Sequence, residues 1–456
     1  VELCEYQEMI DRLARFFGVS ASGSSIPTEV IAGLSTYMAL SYIILVNPAV
    51  LAGAGMDPGA VMMATCLASA VATLWMAFHA NYPIALAPGM GHNFFFAITV
   101  CGPIAAGGLG YSWQAALAAV FVSGSLFLVG SLWGIRARIM TLVPDHLKTS
   151  IAVGIGLLIA VVGLRWSGLL VSRPGIYIGL GDLSGTPVLL ALFGLLVMAV
   201  LTVARVSAAL VLGILATAVL ASLTGLVRFQ GVVAWPPSMA PTFLALDFRG
   251  LFHHADFLSV VFVLLFVDLF DTVGTLIGVS QRAGFMVRGE LPRARQALMA
   301  DAVGTVTGSV LGTSTVTSYV ESAAGVVAGG RTGFAALVTA ILLAGSIFFY
   351  PLVQLVGAGF DMGGGVILYP ILAPALILIG FFMLQGIGEI AWRDSRQAIP
   401  AFLTVVMMPL TTSITEGIAF GFISTSVLYL ASGKGRSLHW GVHVIAGCFL
   451  IRYVLI

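Results

Sequence analysis

Along the chain, apolar runs of near-bilayer length alternate with short polar or Gly/Pro-rich connections, and a membrane-crossing helix needs about 20 such residues. On that ruler about fourteen segments emerge, at 29–47, 59–79, 84–101, 113–134, 146–166, 187–204, 207–226, 256–279, 293–311, 316–328, 333–356, 371–388, 398–413 and 416–431. A further apolar piece, 442–456, is short and holds Arg452, and its pattern fits a span and an interfacial helix equally. Ahead of the first segment, Val1 to Phe17 mixes Glu2, Glu5, Glu8, Asp11, Arg12 and Arg15 with apolar residues and lacks the h-region of a cleavable signal. It predicts an amphipathic helix on the membrane surface. The expected organisation is an N-terminal amphipathic segment (1–28), a first seven-helix repeat (29–226), an extracytoplasmic connection (227–255), a second repeat (256–432) and a tail (433–456).

Composition agrees with the pattern. Of 456 residues, 59% are hydrophobic and 9% charged, where a soluble protein carries about 25% charged residues; mean hydropathy is +1.07. The chain therefore reads as an all-α polytopic membrane protein. A formal net charge of +1 gives no reason to expect nucleic acid as a partner. Cys4, Cys66, Cys101 and Cys448 are scattered without metal-ligand spacing and read as small packing residues. Lys and Arg concentrate in alternate connections, notably Lys148, Arg205, Arg282, Arg293, Arg295, Arg331, Arg393, Arg396, Lys434 and Arg436. Short cytoplasmic loops collect such residues, so the N-terminus is expected in the cytoplasm of a multi-pass protein of the inner or plasma membrane.

The proline-rich connection from Arg228 to Ala255 divides the segments seven and seven, and an odd number per half places the halves in opposite orientations, as an inverted repeat requires. The third segment of each half is interrupted. In the first, NYPIALAPGMGHNFFFAITV, Pro83, Pro88, Gly89 and Gly91 crowd the entry. In the second, GSVLGTSTVTSYVESAAGVVAGG, β-branched residues precede a helical pattern that starts near Glu321. Both predict a short strand feeding a half-helix. Breaks at matching positions point to a midplane binding site, because helix N-termini and unpaired backbone groups then face a cavity.

The chemistry concentrates in the same half. FVLLFVDLFDTVGTLIG, Phe262 to Gly278, carries Asp268 and Asp271 three residues apart, hence on one helix face. A carboxylate near the centre of a membrane helix costs on the order of 3 kcal/mol on insertion scales, so two on one face need a polar interior. With Glu321, three carboxyls are available to converge. Carboxylates accept from the N–H groups of a flat heterocycle, and an acid in low dielectric is also suited to carry a proton. Asn93 adds an amide at the first break, and Phe94, Phe95 and Phe96 follow it as candidate apolar walls or simple core residues. Asp301, Glu389 and Glu416 lie near segment ends or turns and are read as caps or interfacial groups.

The stretches TEVIAGLSTYMALSYIILVNP, ALAPGMGHN, FVDLFDTVGTLIGVSQRAG and GTSTVTSYVESAAGVVAGGRTG resemble the AzgA-like purine permeases, a branch of the nucleobase transporter superfamily that includes xanthine and uracil permeases. The resemblance runs from about Arg12 to Ser432. It implies two inverted seven-helix repeats divided into core and gate domains, with strands in the third and tenth helices. It also implies proton symport of adenine, guanine or hypoxanthine, without a cofactor. Carried over, it makes Asp268 and Glu321 the principal base-binding carboxylates and Asn93 a contributor from the third helix. Backbone groups around Gly91 and Ser318 complete the base contacts. The resemblance makes Asp271 the second acid of the eighth helix, tied to proton coupling or to holding the site in shape, with Asp268 and Glu321 as the other proton-coupling acids. His92 departs from the family pattern, which has an apolar residue there.

Other readings make different demands. Sodium is the alternative coupling ion, uracil or xanthine an alternative cargo, and a homodimer is compatible with the sequence. A carrier of inorganic or dicarboxylic anions would share the two-repeat fold, but its site wants cations and helix N-termini rather than acids. An intramembrane aspartyl protease needs its two aspartates on separate helices. A channel needs a continuous polar path, which these apolar spans do not offer.

Overall fold

The computed structural model describes residues 12–104, 107–132, 143–173, 176–287, 291–362 and 367–455. In chain order the elements are α1 (Ile26–Leu40), α2 (Tyr42–Ala52), α3 (Pro58–Trp75), β1 (Leu86–Pro88), α4 (Met90–Phe94), α5 (Trp113–Leu132) and α6 (Asp145–Trp166). A hairpin of β2 (Leu170–Arg173) and β3 (Ile176–Leu180) leads to α7 (Thr186–Val203), α8 (Ala209–Leu223) and a short α9 (Phe248–His253). There follow α10 (Phe257–Ala283), α11 (Ala294–Leu311), β4 (Val316–Ser318), α12 (Ser322–Val327), α13 (Gly333–Gly345) and α14 (Tyr350–Val356). The hairpin β5 (Phe360–Asp361) and β6 (Ile367–Leu368) precedes α15 (Ala373–Leu384), α16 (Ser395–Thr411), α17 (Ile414–Ala431) and α18 (Trp440–Leu455). Among the described residues, seven helices are long and apolar enough to cross a membrane unaided. The other apolar segments are shorter or broken, which a membrane tolerates where neighbouring protein satisfies the freed backbone groups.

The chain forms two compact units, one of Val1–Asn93, Ser112–Leu132 and Ala199–Gly357, the other of Phe94–Tyr111, Trp133–Met198 and Ala358–Ile456. In the first, the two expected strands exist and pair with each other. β1 runs antiparallel to β4, with Leu86 opposite Ser318, Ala87 opposite Thr317 and Pro88 opposite Val316. The ladder continues beyond both ends, Gly89 N donating to Thr315 O and Tyr319 N to Ala85 O. Each strand hangs from the helix before it in the same way. The Thr73 hydroxyl on α3 accepts from Leu86 N and donates to Leu86 O, and the Thr305 hydroxyl on α11 does both to Val316. One residue earlier on each helix, Ala72 and Gly304 meet, a Cβ added to Gly304 lying 2.7 Å from that of Ala72. Like supports like at each step, as an internal repeat requires.

Small residues let the helices of this unit approach closely, the usual basis of packing where lipid offers no hydrophobic drive. A Cβ at Gly33 of α1 would lie 2.5 Å from the Ala335 carbonyl of α13, and one at Gly325 of α12 would strike Thr36 and the Ala32 carbonyl of α1. Fully buried Glu29 completes the α1–α13 joint. Its carboxylate accepts from the backbone N–H groups of Arg331 (2.9 Å), Thr332 (3.4 Å) and Ala335 (3.2 Å), anionic charge against a helix N-terminus. Overpacking such a contact costs about 1–3 kcal/mol, so Gly325→Val is expected to lower the apparent Tm by roughly 5 °C, read by a thermal-shift assay in detergent. An unchanged Tm would mean that α1 and α12 yield at this joint.

In the second unit, α6 packs on α15 and α16, and α17 on α16 and α18. Asp394 caps α16 and holds Arg396 through paired bonds of 3.0 and 2.9 Å, which pull its carboxyl down to about 2.

Three expectations change. Residues 333–356 are not one straight span: helix Gly333–Phe348 and Tyr350–Val356 meet at 74°, with Pro351 in the first turn of the second, where its ring cannot continue the preceding hydrogen-bond ladder. Asp301 is neither terminal nor interfacial but wholly buried within α11. Glu416 lies in the first turn of α17, but its carboxylate receives Arg452 (3.0 Å) and Tyr453 from α18, so a tertiary contact replaces solvation. Glu389 is exposed at a segment end, in keeping with the interfacial reading. Of the amphipathic segment, Val1 to Asp11 lie outside the described residues; Arg12 to Phe17 are helical, and Phe17 is buried against Phe334.

Candidate functional site

The site is assembled where the paired strands end and their half-helices begin. Glu321 occupies the N-cap position of α12, with helical backbone angles and its side chain free to reach away from the helix. The reach ends on Tyr42, whose hydroxyl donates to Oε1 at 2.9 Å. Tyr42 opens α2, immediately after the first span breaks at Ser41, so the break in that helix delivers the phenol. A second phenol, Tyr319, donates to the Pro88 carbonyl at 2.5 Å, joining the end of β4 to the end of β1. Glu321 and Asp271 are both within electrostatic reach of the Tyr319 hydroxyl and of each other.

The acids of α10 take different environments although they share its face. Asp268 is wholly buried and Asp271 half-buried. One turn after Asp268, the Thr272 hydroxyl donates to Asp301 at 2.5 Å and lies 2.7 Å from the hydroxyl of Thr317 in β4. Asp301 thus anchors α10 to the strand pair from a third helix, which explains why a buried acid is kept there. The fold brings Asp271 within electrostatic reach of Glu321.

Asn93, at the end of α4, is fully buried; its Oδ1 accepts from the Ser314 hydroxyl just before β4, and its Nδ2 faces Met90 sulfur at 3.7 Å. Gly91 is buried on the same short helix, next to His92. Ser318 is 2% exposed, and its hydroxyl, like that of Thr315, has no hydrogen-bond partner among the described residues. The same holds for both ring nitrogens of His92, which is 1% exposed. Asn47 of α2, donating to Thr65 (2.7 Å) and Thr313 (2.9 Å), fixes the approach to the second break. All these residues belong to the first unit. Phe94, Phe95 and Phe96 are buried in the second unit.

Such an arrangement presents carboxylates, two phenols and uncommitted hydroxyl and imidazole groups around interrupted backbone. It suits a small, polar, planar solute with several N–H groups, bound rather than transformed. Among the described residues, no group of His, Cys, Asp and Glu is placed to hold a metal ion. The permease family profile matches residues 27–420.

The chain belongs to the permease family. It is 42% identical over 444 residues to the guanine/hypoxanthine permease PbuO of Bacillus subtilis, the match covering 96% of this chain and 100% of that one. It is 38% identical over 445 residues to the adenine permease AdeP of Escherichia coli (strain K12), covering 97% and 96%. The resemblance to the AzgA-like purine permeases is borne out by these relatives. This permease also shares its fold with the transmembrane domain of a cyanobacterium bicarbonate transporter, BicA, at TM-score 0.60 and 16% identity over 86% of this chain and 97% of that one. The fold is the two-repeat architecture expected from the sequence, mostly helical, with strands confined to breaks and hairpins. It is a multi-pass membrane transporter and not an enzyme.

Sequence reasoning missed Tyr42, Thr272 and Thr317, and gave Asp301 the wrong setting. Tyr42 and Thr317 carried no signal, being ordinary residues in apolar or β-branched runs. Asp301 did carry one: it stands ten residues before the end of an apolar segment, too deep for a cap.

Proposed function

We propose that this permease imports purine nucleobases by proton symport. The observation that carries the reading is the cluster of Glu321, Asp271, Tyr42 and Tyr319 at the junction of the paired strands. Relatives matching nearly the whole chain are named guanine/hypoxanthine and adenine permeases. The base lies at the ends of β1 and β4, its N–H groups donating to Glu321 and Asp268. Gly91 and Asn93 at the first break and Ser318 at the second complete the contacts. Asp271, beside Glu321, takes the coupling proton, with Asp268 and Glu321 as the other acids of the relay. Protonation lowers the repulsion between two neighbouring carboxyls, and loading of base and proton together permits the swing of a core domain against a gate domain. The N-terminus faces the cytoplasm, and no cofactor is required.

The fold shared with a bicarbonate transporter does not transfer its cargo. Paired acids at the break would repel an anion, and the same two-repeat architecture hosts different solutes by changing the groups at its breaks.

The test is uptake of radiolabelled adenine, guanine, hypoxanthine, xanthine and uracil into proteoliposomes, with and without an inward proton gradient. Accumulation of a purine that collapses with a protonophore is expected. Accumulation driven by sodium alone would replace the coupling ion. Absence of uptake of any base by inserted, folded protein would overturn the reading.

A further inference from the structure

Most side-chain donors around the break are already committed to protein acceptors. The Tyr42 hydroxyl serves Glu321, that of Tyr319 serves the Pro88 carbonyl, and that of Ser314 serves Asn93. A purine, however, brings acceptors as well as N–H groups, and a 6-oxopurine adds a carbonyl oxygen that carboxylates would repel.

His92, at the first break, is a side chain that could supply a donor for that oxygen. It sits on α4, three residues after Gly89, the residue that connects that helix to β1, and is 1% exposed with neither ring nitrogen partnered among the described residues. Its ring is held against Gly89: a Cβ added there would lie 2.6 Å from Nδ1 and 2.7 Å from the Thr317 methyl. The imidazole therefore shares the side of the strand pair from which Thr317 reaches Thr272 on α10, one turn after Asp268. Any substitution of Gly89 would displace the ring, so the glycine keeps the imidazole close to the backbone break. An imidazole carries an N–H in either protonation state, whereas burying an unpaired one without purpose is costly. Thr315 and Ser318 also hold uncommitted hydroxyls, which donate or accept by rotation; a neutral imidazole offers one donor and one acceptor nitrogen, and the tautomer that donates toward the base is the one required here.

We infer that His92 is a specificity-determining residue that donates a hydrogen bond to the C6 carbonyl of a 6-oxopurine and so favours hypoxanthine and guanine over adenine. The inference rests on the purine reading above. Its experiment compares KM for hypoxanthine and for adenine in proteoliposomes of wild type, His92→Leu, His92→Phe and His92→Gln. Phe keeps the ring volume if Leu packs poorly, and Gln returns an N–H donor.

For Leu and Phe, the hypoxanthine-to-adenine KM ratio is expected to rise about tenfold, the usual loss when one hydrogen bond to a carbonyl is removed. Gln is expected to bring the ratio back to within about threefold of wild type. Equal changes in both KM values, no change in either, or failure of all three variants to insert would overturn the inference in favour of a packing histidine. Wild-type protein that transports no base would overturn the purine reading itself, a result read before any variant is made.

Discussion

Glu321→Gln is expected to cut base uptake by two orders of magnitude or more while the carrier still inserts. Gln matches Glu in shape, and its Oε1 still accepts from Tyr42, so the contact that orients the side chain survives. What disappears is the charge and one acceptor, and the new NH₂ group points a donor at the N–H groups of the base. A charge-assisted hydrogen bond contributes about 1.5–3 kcal/mol, and its loss together with the unpaired donor put in its place corresponds to roughly 100-fold or more in affinity. The measurement is the initial rate of purine uptake normalised to inserted protein. Wild-type rates in this variant would remove Glu321 from the site. Tyr42→Phe offers the graded companion: it loses one orienting bond and should raise KM about tenfold with kcat largely kept.

The second large effect is on coupling. Asp271→Asn is expected to abolish the response of uptake to an inward proton gradient while base exchange at equal pH continues. Asp271 and Glu321 stand close enough to repel, and a proton on either relieves that repulsion. With Asn at 271, Glu321 loses its neighbouring acid Asp271, and binding of the base no longer demands a proton on that pair. Counterflow with equal pH on both sides, compared with gradient-driven uptake, separates the two activities. A variant that keeps both the rate and the gradient response would exclude Asp271 from proton movement. A variant that loses both, with normal insertion, would assign it to base binding instead.

The two effects also distinguish the acids. Asp268 is fully buried on the α10 face beside Thr272, whereas Asp271 is half-buried beside Glu321. If the partly exposed acid exchanges the proton, the buried one is left to shape the base contacts, and Asp268→Asn should affect KM more than the gradient response.

Much of this was legible in the chain itself. A bilayer imposes a length on apolar segments, so the spans could be measured off with a ruler, and an acid inside such a span is expensive enough to mark a function. Pro88, Gly89 and the β-branched run before Glu321 forbid a continuous helix at matched positions, which is why both strands were foreseen. The length ruler failed at 333–356, because apolarity alone does not reveal a bend between two helices that are each apolar, although Pro351 was there to be weighed. It failed again at Asp301, where a polar residue was assigned to a segment end because its partner, Thr272, lies 29 residues away.

By itself, the sequence determined the membrane setting, the matched breaks before α4 and α12, and the presence of acids on α10 and at the start of α12. These follow from local rules: the cost of charge in lipid, the reach of a helix, and the residues a helix cannot contain. Only the tertiary structure decided which groups meet. Tyr42 reaches Glu321 across 279 positions and Ser314 reaches Asn93 across 221, and β1 finds β4 as its partner strand. The physical reason is that a strand of three residues cannot satisfy its own backbone groups. It must borrow partners from wherever the packing of small-residue helices brings them, and that packing is a property of the whole fold.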